Sequence, residues 1–237
     1  MRKERIFSID PPTARDLDDA VSIKSLGDGT FELGVHIADV SYFVIPGTAL
    51  DKEAYNRATS VYLVQKVIPM LPRLLCEELC SLNAGVDRLA FSVFWKIDEN
   101  AIVIGEPRFT RSVINSCAKL WYDHAQAVIE DRDWNLVNPV SLAGGWTEDQ
   151  VQQDIKILFK LSQKLRAKRY ESGALTLNSI KLWFKLDDVG NPIESGIYEQ
   201  KEANKLIEEV LQSIQDVFRL TLCIVYVVGE YGCGEKD

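Results

Sequence analysis

Ser8-Ile9-Asp10-Pro11-Pro12-Thr13-Ala14-Arg15-Asp16-Leu17-Asp18-Asp19-Ala20 places four carboxylates within ten residues. Ile6–Ile9, ahead of it, has the composition of a short strand. Pro11-Pro12 ends that strand, because proline neither donates to a ladder nor continues a helix. The aspartates therefore sit in a constrained loop. A second strand, Ala20–Lys24, leaves that loop and is followed by the turn signal Gly27-Asp28-Gly29 and by Phe31–Ala38. In the last segment Phe31, Leu33, Val35 and Ile37 share one face, so a hairpin is expected directly behind the acidic loop.

Further out, Thr48–Thr59 and Leu74–Leu82 have helical composition. Phe91–Ile97 and Glu106–Ile114 read as antiparallel strands, and Lys119–Glu130 as a helix. Asn135–Gly145 reads as a loop. Thr147 and Gln150 have capping-box spacing ahead of a long helix. Its apolar face is Val151, Ile155, Leu158 and Leu165, and it stops at Gly173. Leu175–Leu186 is strand-like, Gly190-Asn191 is a turn, and Glu199–Phe218 is a helix. The expected class is α+β, with a largely antiparallel sheet flanked by helices.

Composition narrows the partners. The 237 residues carry a net charge of -8, with 27 basic and 35 acidic side chains. A protein that coats duplex DNA is usually basic, so that class is disfavoured. An enzyme that threads a single strand past an acidic site is compatible. No signal peptide is visible, and Leu220–Val228 is too short to cross a bilayer. Five cysteines without C-x-x-C spacing fit free thiols in a reducing compartment.

Four converging carboxylates repel one another unless a cation offsets the charge. Mg²⁺ suits them, since it takes hard oxygen ligands and keeps water and phosphate oxygens in its shell. One ion can lower the pKa of a bound water, and a second can stabilise a leaving oxygen of phosphodiester hydrolysis. Asp18 and Asp19 are adjacent and point opposite ways in an extended chain, so one can hold metal while the other holds water or a second ion. The plainer reading is an acidic surface loop in which Asp16 caps a turn. An EF-hand is excluded by spacing: the sixth position is not Gly and the twelfth is not Glu.

The same stretch resembles the signature I-D-P-x-x-A-R-D-x-D-D-A of the ribonuclease II (RNB) family. His36–Val44, Arg57–Leu63, Ile68–Pro72, Leu79–Asn83 and Glu202–Glu209 resemble later segments of that family, in order, over about residues 5–210. The wording is similar to the eukaryotic cytoplasmic, exosome-independent Dis-three-like branch. The resemblance implies an RNB-type catalytic domain and 3′-to-5′ hydrolysis of single-stranded RNA, including 3′-uridylated RNA, to nucleoside 5′-monophosphates. It implies one or two Mg²⁺ ions, with Mn²⁺ as a substitute, held by Asp10, Asp16 and Asp19. Asp18 would be the catalytic carboxylate, Tyr62 would stack near the last nucleotides, and Glu208 or Glu209 would lie near the RNA end. A cytoplasmic monomer, P-bodies included, without DNA or membrane partners, is the expectation.

Read from the residues alone, Tyr62 is a core aromatic, His36 a hydrogen-bonding strand residue, and Asp39 a turn cap or a support for the acidic loop. Glu208 and Glu209 are an exposed helix face, and Lys164, Arg166, Lys168 and Arg169 a solvated helix end, with contact to phosphate as the other reading. Departures from the family are also expected to matter. Cold-shock or OB domains ahead of the motif, an S1 domain, and an S-P-x-R-R-Y arginine clamp are not found, and residues 211–237 look divergent. Loss of one clamp donor costs on the order of a hundred- to thousandfold in rate. An impaired fragment, a non-catalytic RNA-binding or regulatory piece, and an unstable truncated gene product stand as the alternatives.

Overall fold

The structure, a computed structural model, describes residues 1–175 and 182–220. Its elements run β1 (Phe7–Asp10), β2 (Asp19–Ser25), β3 (Thr30–Ala38), α1 (Ala49–Arg57), β4 (Val61–Tyr62), β5 (Val67–Ile68), β6 (Asp87–Asp98), β7 (Val103–Asn115) and β8 (Ala118–Trp121). They continue through α2 (Tyr122–Ile129), α3 (Glu148–Glu171), β9 (Leu182–Leu186), β10 (Pro192–Ile197) and α4 (Glu202–Leu220). One sheet has the order β7-β6-β3-β2-β1-β8, and β4–β5 and β9–β10 are separate hairpins. Every neighbour in the large sheet is antiparallel except the parallel pair β1–β8. The α+β class and the largely antiparallel sheet agree with the sequence reading.

Alternation along the strands sorts the side chains. Phe7, Ile9, Val21, Ile23, Leu33, Val35, Val93, Trp95 and Ile97 belong to one apolar cluster with Val151, Ile155 and Leu158 of α3 and Ala203, Leu206 and Val210 of α4. Burying each large aliphatic side chain there stabilises by roughly 1.5–3 kcal/mol. α3 starts as its sequence predicts: Thr147 Oγ1 accepts from Gln150 N–H, and Gln150 Oε1 from Thr147 N–H. Beyond its end Gly173 takes φ 92°, a conformation that favours glycine. Arg5 clamps the root of β1 to α3 through a two-pronged ion pair with the buried Asp154.

The opposite sheet face carries a buried polar row. The two nitrogens of fully buried His36 meet Ser22 Oγ at 3.0 Å and Ser92 Oγ at 2.7 Å, and Ser92 meets Ser112 at 2.6 Å. Burial holds the His36 pKa down at about 3, so the ring is neutral. The hydrogen-bonding role expected for His36 is thus the observed one.

Three expectations change. Lys119–Trp121 is not the start of a helix but strand β8, with Ala118 and Leu120 buried and Lys119 and Trp121 on the other face. Its partner β1 is over a hundred residues away, so no local pattern records the pairing. Leu74–Leu79 is a single wide π-helical turn, closed by Cys80 N–H on the Leu75 carbonyl. The basic group of α3 is more than a solvated end: Lys164, which is exposed, and Lys168 donate to the Glu99 and Ala101 carbonyls at the β6–β7 turn, and Arg169 binds Glu209. The strand expected from Leu175 is observed over Leu182–Leu186, while residues 176–181 and 221–237 lie outside the described residues. Helix α4 runs unbroken across position 210.

Candidate metal centre

The acidic loop spans from the end of β1 to the start of β2, and it is stapled. Ala14 N–H donates to the Pro11 carbonyl, closing a turn over the prolines. Ser81 Oγ accepts from Leu17 N–H at 3.0 Å and donates to the Arg15 carbonyl at 2.8 Å. Leu82 N–H reaches the Leu17 carbonyl, and Ala38 N–H the Asp18 carbonyl. Lys119 Nζ donates to the Ala14 carbonyl. Leu17 itself is fully buried beside Ile6, Leu75, Leu82 and Ile114. This one apolar residue inside the acidic run is the plug that fixes Asp16 and Asp18 on either side of it.

The four aspartates share one electrostatic neighbourhood. Burial, above all, pushes Asp10 up to about 6, and Asp18 and Asp16 add to it, while Ser8 and Lys119 pull the other way. Asp19 is pushed up to about 7, first by burial and then by Asp10 and Asp18. The pKa of Asp18 is raised by desolvation and by Asp16, although Asp18 is the exposed residue of the four and the others are half-buried. Asp10 Oδ2 and Ser8 Oγ are both buried without a hydrogen bond of normal geometry, although the Ser8 hydroxyl is near enough to Asp10 to favour its charged form. Like charges crowded around an unpartnered carboxylate oxygen are a charge arrangement that a bound cation would offset. Among the described residues, however, no three His, Cys, Asp or Glu side chains converge closely enough to enclose an ion by themselves.

Two aromatics border the cluster. Tyr62, on the β4–β5 hairpin, donates its phenol to Asp16 Oδ2 at 3.2 Å and keeps 68% of its surface exposed. It is therefore not the core aromatic its apolar neighbours suggest. Tyr122 sits where β8 turns into α2; burial pushes its phenol up to about 12, with Asp10 and Asp19 adding to the shift. Sequence reading missed Tyr122 because the β1–β8 pairing, Asp10 against Trp121, was not visible.

A family model described as the RNB domain matches residues 1–218. The chain belongs to the RNB family. It is 54% identical over 211 residues to DIS3-like exonuclease 2 of Schizosaccharomyces pombe, covering 89% of this chain and 23% of that protein. It is 55% identical over 216 residues to DIS3-like exonuclease 2 of Xenopus tropicalis, covering 89% and 26%. Its structure is similar to Mycoplasma genitalium RNase R in complex with ribose-methylated single-stranded RNA. The TM-score is 0.81 at 25% identity, covering 94% of this chain and 33% of that one. The chain thus spans about a quarter of the length of the curated relatives it matches.

The RNB fold gathers Asp10, Asp16, Asp18, Asp19 and Tyr62 at one end of β1. Glu208, exposed as expected, and Glu209 each have a protein partner. Glu209 is buried against the Arg169 guanidinium rather than solvated, and Glu208 accepts from Gln200 Nε2 at 2.7 Å. Asp39 does not cap the following turn with its side chain; its carboxylate accepts from Ser41 Oγ and faces Arg111 at 3.5 Å. Among the described residues no helix is long and apolar enough to cross a membrane.

Proposed function

We propose that this chain is the metal-binding portion of an RNB-type 3′-to-5′ exoribonuclease, hydrolysing single-stranded RNA to nucleoside 5′-monophosphates with Mg²⁺, or Mn²⁺ in its place. The observation that carries the reading is Asp10 Oδ2, buried and unpartnered among three further aspartates. The solved RNase R complex with single-stranded RNA supports RNA as the ligand of this fold.

Asp10, Asp16 and Asp19 would hold the ion, with water and phosphate oxygens completing its shell. When bound, Mg²⁺ offsets the carboxylate repulsion and supplies an activated water. Asp18 is the exposed residue of the four, so its carboxylate can orient an attacking water and accept its proton. The loop staples fix the backbone that carries Asp18, and the exposed ring of Tyr62 offers a face to any base. A cytoplasmic role in RNA decay, with uridylated 3′ ends as substrates, belongs to the same proposal.

The test uses the purified chain with 5′-labelled oligo(U) and Mg²⁺, beside Asp18→Asn. A ladder of shortened products from the wild type, lost in Asp18→Asn and in EDTA, is expected. No Mg²⁺-dependent shortening, or equal shortening by both proteins, refutes the enzyme reading. Retention of the RNA without shortening instead identifies a non-catalytic RNA-binding piece.

A further inference from the structure

Tyr62 O–H···Asp16 Oδ2 is a contact between two segments 46 residues apart, one bearing an aromatic and the other a candidate metal ligand. The hairpin that presents Tyr62 is built for placement. Its root is a tight turn at Ala58, whose φ of 61° and ψ of -37° are unusual for a side-chain-bearing residue. The turn is closed by Thr59 N–H on the Arg57 carbonyl at 2.7 Å. Arg57 Nη1 donates to the Pro69 carbonyl at 3.0 Å, and Met70 N–H to Ser60 Oγ at 3.1 Å, locking one strand of the hairpin to the other. Arg73 Nη2 holds the Val67 carbonyl at 3.2 Å. The backbone cost of that turn and these anchors serve no apolar core, since Val61, Tyr62, Leu63, Val64 and Ile68 are all exposed. What the hairpin fixes is the position of the phenol.

We infer that the Tyr62 hydroxyl is a positioning group for the metal site: it fixes Asp16 by a hydrogen bond to Oδ2, so that Oδ1 is the oxygen that would be left for a cation. The inference rests on the reading of Asp16 as a metal ligand. A carboxylate bound to metal through one oxygen is commonly held through the other by a fixed donor, and removing such donors typically costs roughly ten- to a hundredfold in metal affinity. The ring face and the hydroxyl of Tyr62 then have separate duties. The exposed face is free for a base, while the phenol is tied to the ion site, so RNA that shifts the ring also shifts a metal ligand. A tyrosine that only stacks has no need of its hydroxyl, and phenylalanine serves it equally.

The experiment measures Mn²⁺ binding to the RNA-free chain by titration calorimetry and electron spin resonance. Wild type, Tyr62→Phe, Tyr62→Trp and Asp16→Asn are compared, and thermal melts confirm an intact fold. Tyr62→Phe and Tyr62→Trp are expected to weaken Mn²⁺ by about tenfold or more at unchanged Tm, with an altered Mn²⁺ line shape. Asp16→Asn should weaken it further, and Tyr62→Phe should add nothing to Asp16→Asn in the double variant. If Asp16→Asn loses affinity while Tyr62→Phe stays within twofold of wild type, the positioning role is refuted and the metal reading stands. If Asp16→Asn binds Mn²⁺ like wild type, the metal reading itself fails.

Discussion

Replacing Ser81 with alanine removes one oxygen atom and unpairs two backbone groups of the aspartate loop at once. Ser81 is 1% exposed, and its hydroxyl bridges Leu17 N–H and the Arg15 carbonyl. The two groups fare differently. Leu17 is fully buried, so its amide is left dry and unpaired, at a cost of roughly 1–3 kcal/mol. Arg15 is exposed, so water can replace the lost donor at its carbonyl, and that half costs about 0.5–1 kcal/mol. The sum, about 1.5–4 kcal/mol, is a sizeable part of the 5–15 kcal/mol typical of a domain. Because the lost bonds flank Asp16 and Asp18, the damage should be local as well as global. Urea unfolding followed by tryptophan fluorescence should show a lower midpoint, and Mn²⁺ affinity should fall in the same variant. Ser81→Thr keeps the hydroxyl and should lose less of both. A stability loss below about 0.5 kcal/mol together with unchanged Mn²⁺ binding in Ser81→Ala would show that the loop is not held by this residue.

Two further outcomes follow from the same geometry. Asp10 and Asp19 titrate near 6 and 7 in the folded state, above the unfolded carboxylate range, so the metal-free native state binds more protons than the unfolded chain between about pH 4 and 7. Its stability should therefore decline as pH rises through that window. Metal affinity should climb over the same range, because the ion must displace those protons. Calorimetry at pH 5.5 and 7.5 checks this, and Asp19→Asn should flatten the stability profile. Arg5→Met leaves the buried Asp154 carboxylate unpaired and should cost about 2–4 kcal/mol, reduced from the fully buried case because Arg5 is 21% exposed. Arg5→Met with Asp154→Leu should recover most of that loss in urea unfolding.

Much of this chain is written locally. Val151, Ile155 and Leu158 announce one face of α3, and Thr147 with Gln150 its first turn, because helical contacts reach only four residues. Gly27 and Gly29 both adopt positive φ in the β2–β3 turn that their spacing implies. The acidic run is equally legible, since its prolines forbid regular structure and its charges need a counter-ion. Legibility fails where a partner is distant. Lys119–Trp121 has helical neighbours, and only β1 makes it a strand. Lys164 and Lys168 read as a solvated end because nothing in α3 shows the carbonyls at Glu99 and Ala101.

The sequence by itself determined that four carboxylates crowd one short, proline-constrained segment. Residue type and near-neighbour sterics are properties of the chain. Only the tertiary structure decided that Ser81 and Leu17 lock that loop. It also set Tyr62 and Tyr122 against the aspartates, and gave Glu209 to Arg169. Those are pairings between groups 40 to 64 residues apart, for Arg169–Glu209, Tyr62–Asp16 and Ser81–Leu17. They exist because burying the apolar faces of the sheet and helices brings distant polar groups together; in the interior, as at Leu17 and Ser81, each must find a partner, while Tyr62 meets Asp16 at the surface.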